Sequence, residues 1–172
     1  MKVGLVGLGK MGLNLGQNLL DQNHEVVAFD VNPSAVDKMS TYGATATSNL
    51  KDLVQALETP RILWIMVPHA VVDSVISEIK PFLSAGDIVI EAGNSHYKES
   101  IRRYNELKES GVHFMDAGTS GGMEGARHGA CYMIGGDPEA WEVVEPIFRD
   151  TAVDNGYLYA GKAGSGHFLK MV

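Results

Sequence analysis

The stretch KVGLVGLGKMG at residues 2–12 sets a short apolar run directly before three glycines at positions 7, 9 and 12. Apolar residues then recur at helical spacing up to Leu20, so the stretch predicts a strand, a tight turn and a helix. In a G-x-G-x-x-G turn the first glycine permits the bend, the second lets a pyrophosphate approach the backbone, and the third lets helix and strand pack closely. The helix N-terminus adds N–H groups and a partial positive charge. The stretch therefore predicts a dinucleotide site, with a purely structural turn as the alternative; its expected cofactor contacts are Gly7, Leu8, Gly9, Lys10, Met11 and Gly12.

The rest of the chain continues the alternation of strands and helices. Apolar runs predict strands at 25–30, 62–67, 88–90, 112–117 and 131–134. Helices are predicted to begin at Asn32–Pro33 and at Asp137–Pro138, because each pair offers a capping residue followed by a proline in the first turn. Two further helices are predicted over 70–83 and 100–110. Continuous apolar strands that alternate with helices are typical of a Rossmann-like α/β fold, a doubly wound and mostly parallel sheet with helices on both faces.

Composition limits the classes of function. The 172 residues, 45% of them hydrophobic, suffice for one domain. A net charge of −7 without a cluster of cations argues against a nucleic-acid partner. The single cysteine, Cys131, argues against a disulfide framework, and no apolar run approaches the roughly 20 residues of a membrane span. Without a signal peptide, a cytoplasmic location is expected, and without an HExxH pair or cysteine cluster no metal is expected.

Asp30 predicts which dinucleotide is bound. It lies at the end of the second predicted strand, where a carboxylate can accept hydrogen bonds from the adenosine ribose hydroxyls. The same charge repels a 2′-phosphate, and no lysine or arginine follows within residues 31–35 to receive one. The sequence therefore favours NAD over NADP, with capping of the turn at Asn32 as the alternative role of Asp30.

Four motifs then follow one another in chain order. They are GLGKMG at 7–12, GNSHY at 93–97, TSGGMEGAR at 119–127 and GHFLKMV at 166–172. Together they resemble the amino-terminal domain of the decarboxylating 6-phosphogluconate dehydrogenases, within the wider β-hydroxyacid dehydrogenase superfamily. The resemblance covers essentially the whole chain. It is closer to the shorter, NAD-linked branch, because many other members carry Asn-Arg after the second strand and use NADP, whereas this chain has Asp30, Val31 and Asn32.

The resemblance implies roles for individual residues. Asn94 would touch both the nicotinamide cofactor and a sugar acid phosphate substrate, and Lys170 would be the general base. The substrate carboxylate and neighbouring hydroxyls would be held by Ser120, Gly121 and Gly122, which could otherwise form only a flexible loop. The residues that would line the cofactor after the fourth strand are Met66, Val67 and Pro68.

The resemblance also implies a reaction and a domain organisation. Lys170 would take the proton from the C3 hydroxyl during hydride transfer, and the resulting β-keto acid would lose carbon dioxide. Residues 1–162 would form the NAD-binding domain, and residues 163–172 would begin a helix that leads to an all-helical second domain outside this chain. That second domain would carry the second acid and the substrate phosphate site, and the full-length enzyme would be a homo-oligomer. The 172-residue chain alone is expected to bind NAD without turnover.

Several alternatives stay open at this point. A sister enzyme such as a 3-hydroxyisobutyrate dehydrogenase is disfavoured by the GNSHY and TSGG motifs, and a non-catalytic NAD-binding module by Lys170. A hydrolase is disfavoured because Ser95 lacks the G-x-S-x-G context of a nucleophile, and because the resemblance assigns Ser120, whose neighbours at 118–122 do fit that spacing, to substrate binding. His167 could orient Lys170 or only pack, since it precedes that residue by three positions on a helix. Arg127 could pair with a carboxylate of its own loop or approach the cofactor.

Overall fold

Strand β1 (Lys2–Val6) runs into the glycine turn, and helix α1 (Lys10–Asp21) follows it as predicted. A computed structural model describes all residues from Met1 to Val172. The remaining strands are β2 (Glu25–Phe29), β3 (Thr45–Ala46), β4 (Ile62–Ile65), β5 (Ile88–Glu91), β6 (His113–Ser120), β7 (Ala130–Gly135) and β8 (Ala152–Gly161). The remaining helices are α2 (Pro33–Thr41), α3 (Leu50–Gln55), α4 (Val72–Ile79), α5 (Tyr97–Lys108), α6 (Gly122–His128), α7 (Pro138–Thr151) and α8 (Ser165–Met171).

The eight strands form a single sheet in the order β3-β2-β1-β4-β5-β6-β7-β8. The chain leaves β1 toward β2 on one side and later returns to β4 on the other, so the strand order reverses between β1 and β4. In open α/β sheets this reversal creates a crevice at the carboxyl ends of the strands, where ligands bind. Two apolar clusters, one on each face, bury the sheet under helices, which confirms the predicted doubly wound fold.

The last two strands, β7 and β8, run antiparallel to the other six, which a wholly parallel sheet would not contain. β7 pairs antiparallel with β6, whereas every other pairing is parallel. A parallel return needs a crossover of about a dozen residues or more, and only residues 121–129 separate β6 from β7. The short connection through α6 therefore turns the chain back antiparallel, which agrees with a sheet that is mostly and not wholly parallel.

Four elements lie outside the sequence prediction. Strand β8 was not expected because Asp154, Asn155 and Gly156 interrupt its apolar run, and its pairing with β7 shifts register. β3, α3 and α6 are too short, at two, six and seven residues, for a periodic pattern to reveal them. No helix is long and apolar enough to cross a membrane.

Candidate functional site

The glycine turn has the geometry of a close-packed bend with an open face. Gly7 has φ +100°, and a Cβ there would overlap the carbonyl oxygen of Met66. A Cβ on Gly12 would overlap the carbonyl oxygen of Gly7, because α1 lies against the end of β1. Gly9, in contrast, has φ −66° and no atom within 4 Å of an added Cβ. Two of the three glycines are therefore required by the fold, whereas nothing within the chain requires Gly9.

A cleft of about 290 Å³ opens beside Gly9 at the N-terminus of α1. The first turn of α1 contains no acidic residue, and no side chain caps its N-terminal N–H groups. These groups can therefore receive an anion, as a pyrophosphate requires. All of the predicted cofactor residues except Gly7, Leu8 and Asp30 line this cleft; its lining is Gly9, Lys10, Met11, Gly12, Met66, Val67, Pro68, Ala92, Gly93 and Asn94.

Asp30, which follows β2, bonds two backbone N–H groups at the other end of the crevice. Its Oδ2 accepts a hydrogen bond of 2.6 Å from the Leu8 backbone, and its Oδ1 accepts one of 2.8 Å from the Asn32 backbone. The side chain of Asn32 caps α2 through the Ser34 N–H, with Pro33 in the first turn, as predicted. Asp30 thus stabilises its turn and still lines a second cleft of about 460 Å³, so its two proposed roles are compatible.

That second cleft is suited to a nucleoside without a 2′-phosphate. Two carboxylates, Asp30 and Asp37, line it together with the hydroxyls of Thr47 and Ser48. No lysine or arginine is among its lining residues, which also include Phe29, Val31, Pro33, Val36 and Ala46. Carboxylates and hydroxyls can bond ribose hydroxyls, whereas the two negative charges oppose a phosphate.

Asn94 lies at the junction of the dinucleotide cleft and a third cleft. Its backbone is left-handed, with φ 56°. Its Nδ2 donates to the carbonyl of Thr119 at 3.2 Å, and its Oδ1 accepts from the Thr119 N–H at 3.0 Å. This paired contact fixes the loop after β5 against β6. Asn94 lines both the 290 Å³ cleft and the third cleft of about 560 Å³, which the predicted contact with cofactor and substrate requires.

A buried ion pair supports the loop of Asn94 from below. The wholly buried Glu91 accepts a hydrogen bond of 2.6 Å from the Gly93 N–H. It accepts another, of 3.2 Å, from Nη1 of Arg103, which is 3% exposed. The same Nη1 donates 3.0 Å to the hydroxyl of Ser95, and Nε donates 2.8 Å to the carboxylate of Asp73. Arg103 thereby joins both residues that flank Asn94 to the base of the site.

Asp73 provides a pH-dependent prediction. A hydrogen bond from Arg103, aided by one from Arg102, holds the pKa of Asp73 below its usual range. A lowered folded-state pKa stabilises the fold above the unfolded pKa, and this contribution is lost as the pH falls through the folded value. We therefore expect Asp73→Asn to be less stable than the parent at neutral pH, with the difference closing in acid below the ordinary aspartate range.

Urea unfolding over a pH series measures this difference. Asp154→Asn is the control, because Asp154 is exposed and makes no ion pair, so its stability should follow that of the parent at every pH. A difference for Asp73→Asn that persists unchanged in acid would show that the ionised carboxylate is not its source.

Lys170 lies on α8 and lines the 560 Å³ cleft together with Asn94 and His167. Its stem crosses β6 at Gly118, where an added Cβ would come within 2.5 Å of Cβ of Lys170. Lys170 and its apolar neighbours Leu169 and Met171 are all exposed in this chain. Only one side of α8, including Gly166 and His167, is buried against the sheet.

His167 makes no hydrogen bond with Lys170. It is buried, its Nδ1 lies 2.7 Å from the hydroxyl of Ser100, and its Nε2 has no hydrogen-bond partner and lies 3.8 Å from Oε2 of Glu91. The ring thus joins α8 to α5, so a packing role is present in the structure and any effect on Lys170 would be exerted through the helix.

Ser120, Gly121 and Gly122 lie where β6 passes into α6. Gly121 and Gly122 have positive φ values of 118° and 61°, so this turn requires glycine-like conformations and is not a featureless loop. They follow Thr119, which holds Asn94, but they do not line the cleft of Lys170 in this chain. The structure therefore brings Asn94 and Lys170 together and leaves the Ser120–Gly122 turn adjacent.

Arg127 has a structural partner. Its Nη1 lies 2.7 Å from the carboxylate of Asp21, and its Nε donates 3.1 Å to the side chain of Gln17. Both partners belong to α1 and not to the loop of Arg127, so the carboxylate that pairs with Arg127 differs from the one expected, and the contact joins α6 to α1.

Two of the three wholly buried carboxylates lie beside the site, and the sequence does not predict their role. Glu91 and Asp116 are wholly buried at the ends of, or within, strands predicted from their apolar neighbours. A charged residue inside an apolar run is the one available signal, because a buried charge needs partners. Those partners lie elsewhere in the sequence, so the signal marks the residue without identifying the contact. No group of three or more His, Cys, Asp or Glu side chains is arranged to hold a metal ion.

Known proteins resemble this chain in sequence and in fold. A sequence profile described as the NAD binding domain of 6-phosphogluconate dehydrogenase matches residues 2–161. YqeC of Bacillus subtilis (strain 168), provisionally named a 6-phosphogluconate dehydrogenase, is 68% identical over 172 residues, which cover 100% of this chain and 58% of YqeC. The NAD(+)-dependent, decarboxylating 6-phosphogluconate dehydrogenase of Haloferax volcanii is 38% identical over 174 residues, covering 100% of this chain and 57% of that protein.

A solved structure extends the likeness to three dimensions. Plasmodium falciparum 6-phosphogluconate dehydrogenase, whose structures include complexes with NADP+ and with 6-phosphogluconate, superposes with a TM-score of 0.92 at 29% identity. The match covers 99% of this chain and 39% of that one. The chain thus spans less than two thirds of the length of each of these relatives.

Proposed function

The chain belongs to the family of NAD-binding domains of 6-phosphogluconate dehydrogenase, and on this premise we propose that the whole protein catalyses the NAD-dependent oxidative decarboxylation of 6-phosphogluconate. The products are ribulose 5-phosphate, carbon dioxide and NADH. The observation that carries the proposal is the junction at Asn94, which lines both the cleft beside the glycine turn and the cleft that contains Lys170.

The residues at the glycine turn fit NAD. The open position beside Gly9 and the uncapped N-terminus of α1 receive the pyrophosphate, and Asp30 bonds the adenosine ribose. Met66, Val67 and Pro68 line the same cleft as Asn94 and would contact the bound cofactor there. When bound, NAD supplies a hydride acceptor. The protein's contribution is to hold the dinucleotide across the strand-order reversal between β1 and β4.

The 560 Å³ cleft receives the sugar acid. Lys170 removes the proton of the C3 hydroxyl, and Asn94 orients the substrate relative to the cofactor. After carbon dioxide leaves, the protonated Lys170 can return its proton to the oxygen that has accepted the electron pair. Ser120, Gly121 and Gly122 contact the substrate carboxylate from the adjoining turn, where backbone N–H groups can converge on an anion. The second acid, the phosphate site and the subunit contacts lie in the remaining part of the whole protein.

Formation of NADH and carbon dioxide from 6-phosphogluconate by the whole protein tests the proposal. Stoichiometric release of both products supports it. Oxidation of 3-hydroxyisobutyrate without carbon dioxide would instead place the protein with the sister dehydrogenases, and NAD binding without turnover of either acid would favour a non-catalytic module.

Cofactor choice is a separate prediction on the 172-residue chain. We expect calorimetric titration to show binding of NAD and much weaker binding of NADP, because Asp30 and Asp37 oppose a 2′-phosphate. Asp30→Ala should weaken NAD binding by about 10- to 100-fold, since a hydrogen bond to a charged group contributes about 1.5–3 kcal/mol, and it should narrow the difference from NADP. Thermal unfolding of the variant separates this effect from loss of the turn. Equal affinities in the parent chain would contradict the role of Asp30.

A further inference from the structure

Helix α8 begins without a cap from its own sequence. Its N-cap residue, Gly164, is left-handed at φ +91° and has no side chain to accept a hydrogen bond. Helices usually satisfy their first N–H groups with a nearby Ser, Thr, Asp or Asn, which stabilises the helix wherever it lies. Here the acceptor comes from a distant part of the chain.

Asp116 of β6 supplies that cap. Its Oδ1 accepts a hydrogen bond of 2.8 Å from the Gly164 N–H, and its Oδ2 accepts one of 2.8 Å from the His167 N–H. Asp116 is wholly buried, and its hydrogen-bond partners are these two N–H groups at the positive end of the helix. Because the cap is a residue of the sheet, α8 is capped only when it is docked on the sheet.

The same face of β6 positions the stem of Lys170. Residues two apart in a strand point to the same face, so Gly118 lies beside Asp116 under α8. Gly118 leaves the space that Cβ of Lys170 occupies, and a Cβ there would also come 3.0 Å from the carbonyl oxygen of Gly166. β6 thus fixes both the start of α8 and the point, one helical turn later, where Lys170 leaves the helix.

We propose that Asp116 is a positioning residue for Lys170. It acts through the first turn of α8 and holds Lys170 at the 560 Å³ cleft opposite Asn94, which the same strand anchors through Thr119. This inference rests on the proposed function, which identifies the reaction that Lys170 takes part in. The placement of Lys170 by Asp116 can be measured without turnover.

The test compares Asp116→Asn with Asp87→Asn. Asp87 is equally buried and also accepts two backbone N–H groups, from Arg61 at 2.7 Å and Ser84 at 2.8 Å; it also pairs with Nη1 of Arg61 at 3.0 Å, and it precedes β5 at the amino ends of the strands. In the 172-residue chain, amide exchange at Gly164 and His167 should quicken about tenfold or more in Asp116→Asn and not in Asp87→Asn. The rate of reductive methylation of Lys170, relative to that of Lys162, should change in Asp116→Asn and should stay at the parental value in Asp87→Asn.

Turnover by the whole protein supplies the second readout. Asp116→Asn should lower kcat about tenfold or more with little change in KM for NAD, because small misplacements of a reacting group are costly, whereas Asp87→Asn should leave kcat unaltered. If Asp116→Asn does not fold, Gly118→Ala keeps the cap, displaces the stem of Lys170, and should give the same loss of kcat and altered labelling.

The outcomes separate the two proposals. Exchange, labelling and kcat in Asp116→Asn that match those of Asp87→Asn overturn the positioning role. An unsubstituted whole protein that forms no NADH from 6-phosphogluconate overturns the proposed function, and the exchange and labelling comparison then still decides whether Asp116 places Lys170.

Discussion

Replacing Gly9 with alanine is expected to remove NAD binding from this chain and to leave its stability unchanged. The backbone of Gly9 lies at φ −66°, which alanine adopts without strain, and an added Cβ meets no atom within 4 Å. A methyl group at the helix N-terminus would occupy the space into which a pyrophosphate must come. We expect the NAD affinity measured by calorimetry to fall by about 100-fold or more, which corresponds to roughly 2.7 kcal/mol.

Gly12→Ala is the matched comparison within the same turn. Its Cβ would overlap the carbonyl oxygen of Gly7, a backbone atom that cannot move without shifting β1 or α1. We expect this variant to lose stability by roughly 1–3 kcal/mol or more, as overpacked sites do, and to lose NAD binding as a consequence. Urea unfolding should therefore distinguish the two alanines, although both abolish binding.

The alternative to a dinucleotide site is excluded by one result in this pair. If Gly9→Ala bound NAD as well as the parent, the glycine turn would serve only to join β1 to α1. If Gly9→Ala were as unstable as Gly12→Ala, the open face at Gly9 would be absent in solution. Binding lost at parental stability is the result that assigns Gly9 to a ligand.

The sequence predicts this turn well because its parts are contiguous. Gly7, Gly9 and Gly12 lie within six residues between an apolar run and a helical pattern, and the bend follows from local conformation. The apolar runs reveal the buried strands for the same reason. The direction and pairing of the strands depend less on local sequence. β7 returns antiparallel because the connection after Ser120 is short, and the apolar pattern of a strand carries no information on its direction.

The supporting contacts of the site could not be predicted in this way. Asp116 bonds backbone groups 48 and 51 residues later, and Asn94 bonds Thr119, which lies 25 residues later. These distances in sequence carry no periodic signal, and they become contacts only when the sheet brings the carboxyl ends of β5 and β6 side by side. Motifs thus identify the groups that face ligands, whereas the groups that hold them are found in the structure.

Arg103→Met should be the most destabilising single substitution in the cleft, and the adjacent Arg102→Met is its control. Arg103 is 3% exposed and bonds the wholly buried Glu91, so its removal leaves a buried charge with the Gly93 N–H as its one hydrogen-bond partner. Breaking such a pair costs about 3–5 kcal/mol. Arg102 makes three ion pairs, but its side chain is 40% exposed, and surface pairs contribute about 0–1 kcal/mol each.

Restoring neutrality at Glu91 should recover much of the loss. Glu91→Gln keeps an oxygen for the Gly93 N–H and removes the charge, so Glu91→Gln/Arg103→Met should be more stable than Arg103→Met alone. Urea unfolding of the two single variants and the double variant gives the coupling energy. A double variant no more stable than Arg103→Met would mean that Arg103 acts through Ser95 and Asp73 instead. Recovery of stability without recovery of NAD affinity would show that the ion pair also orients Asn94, because Gly93 and Ser95 flank it.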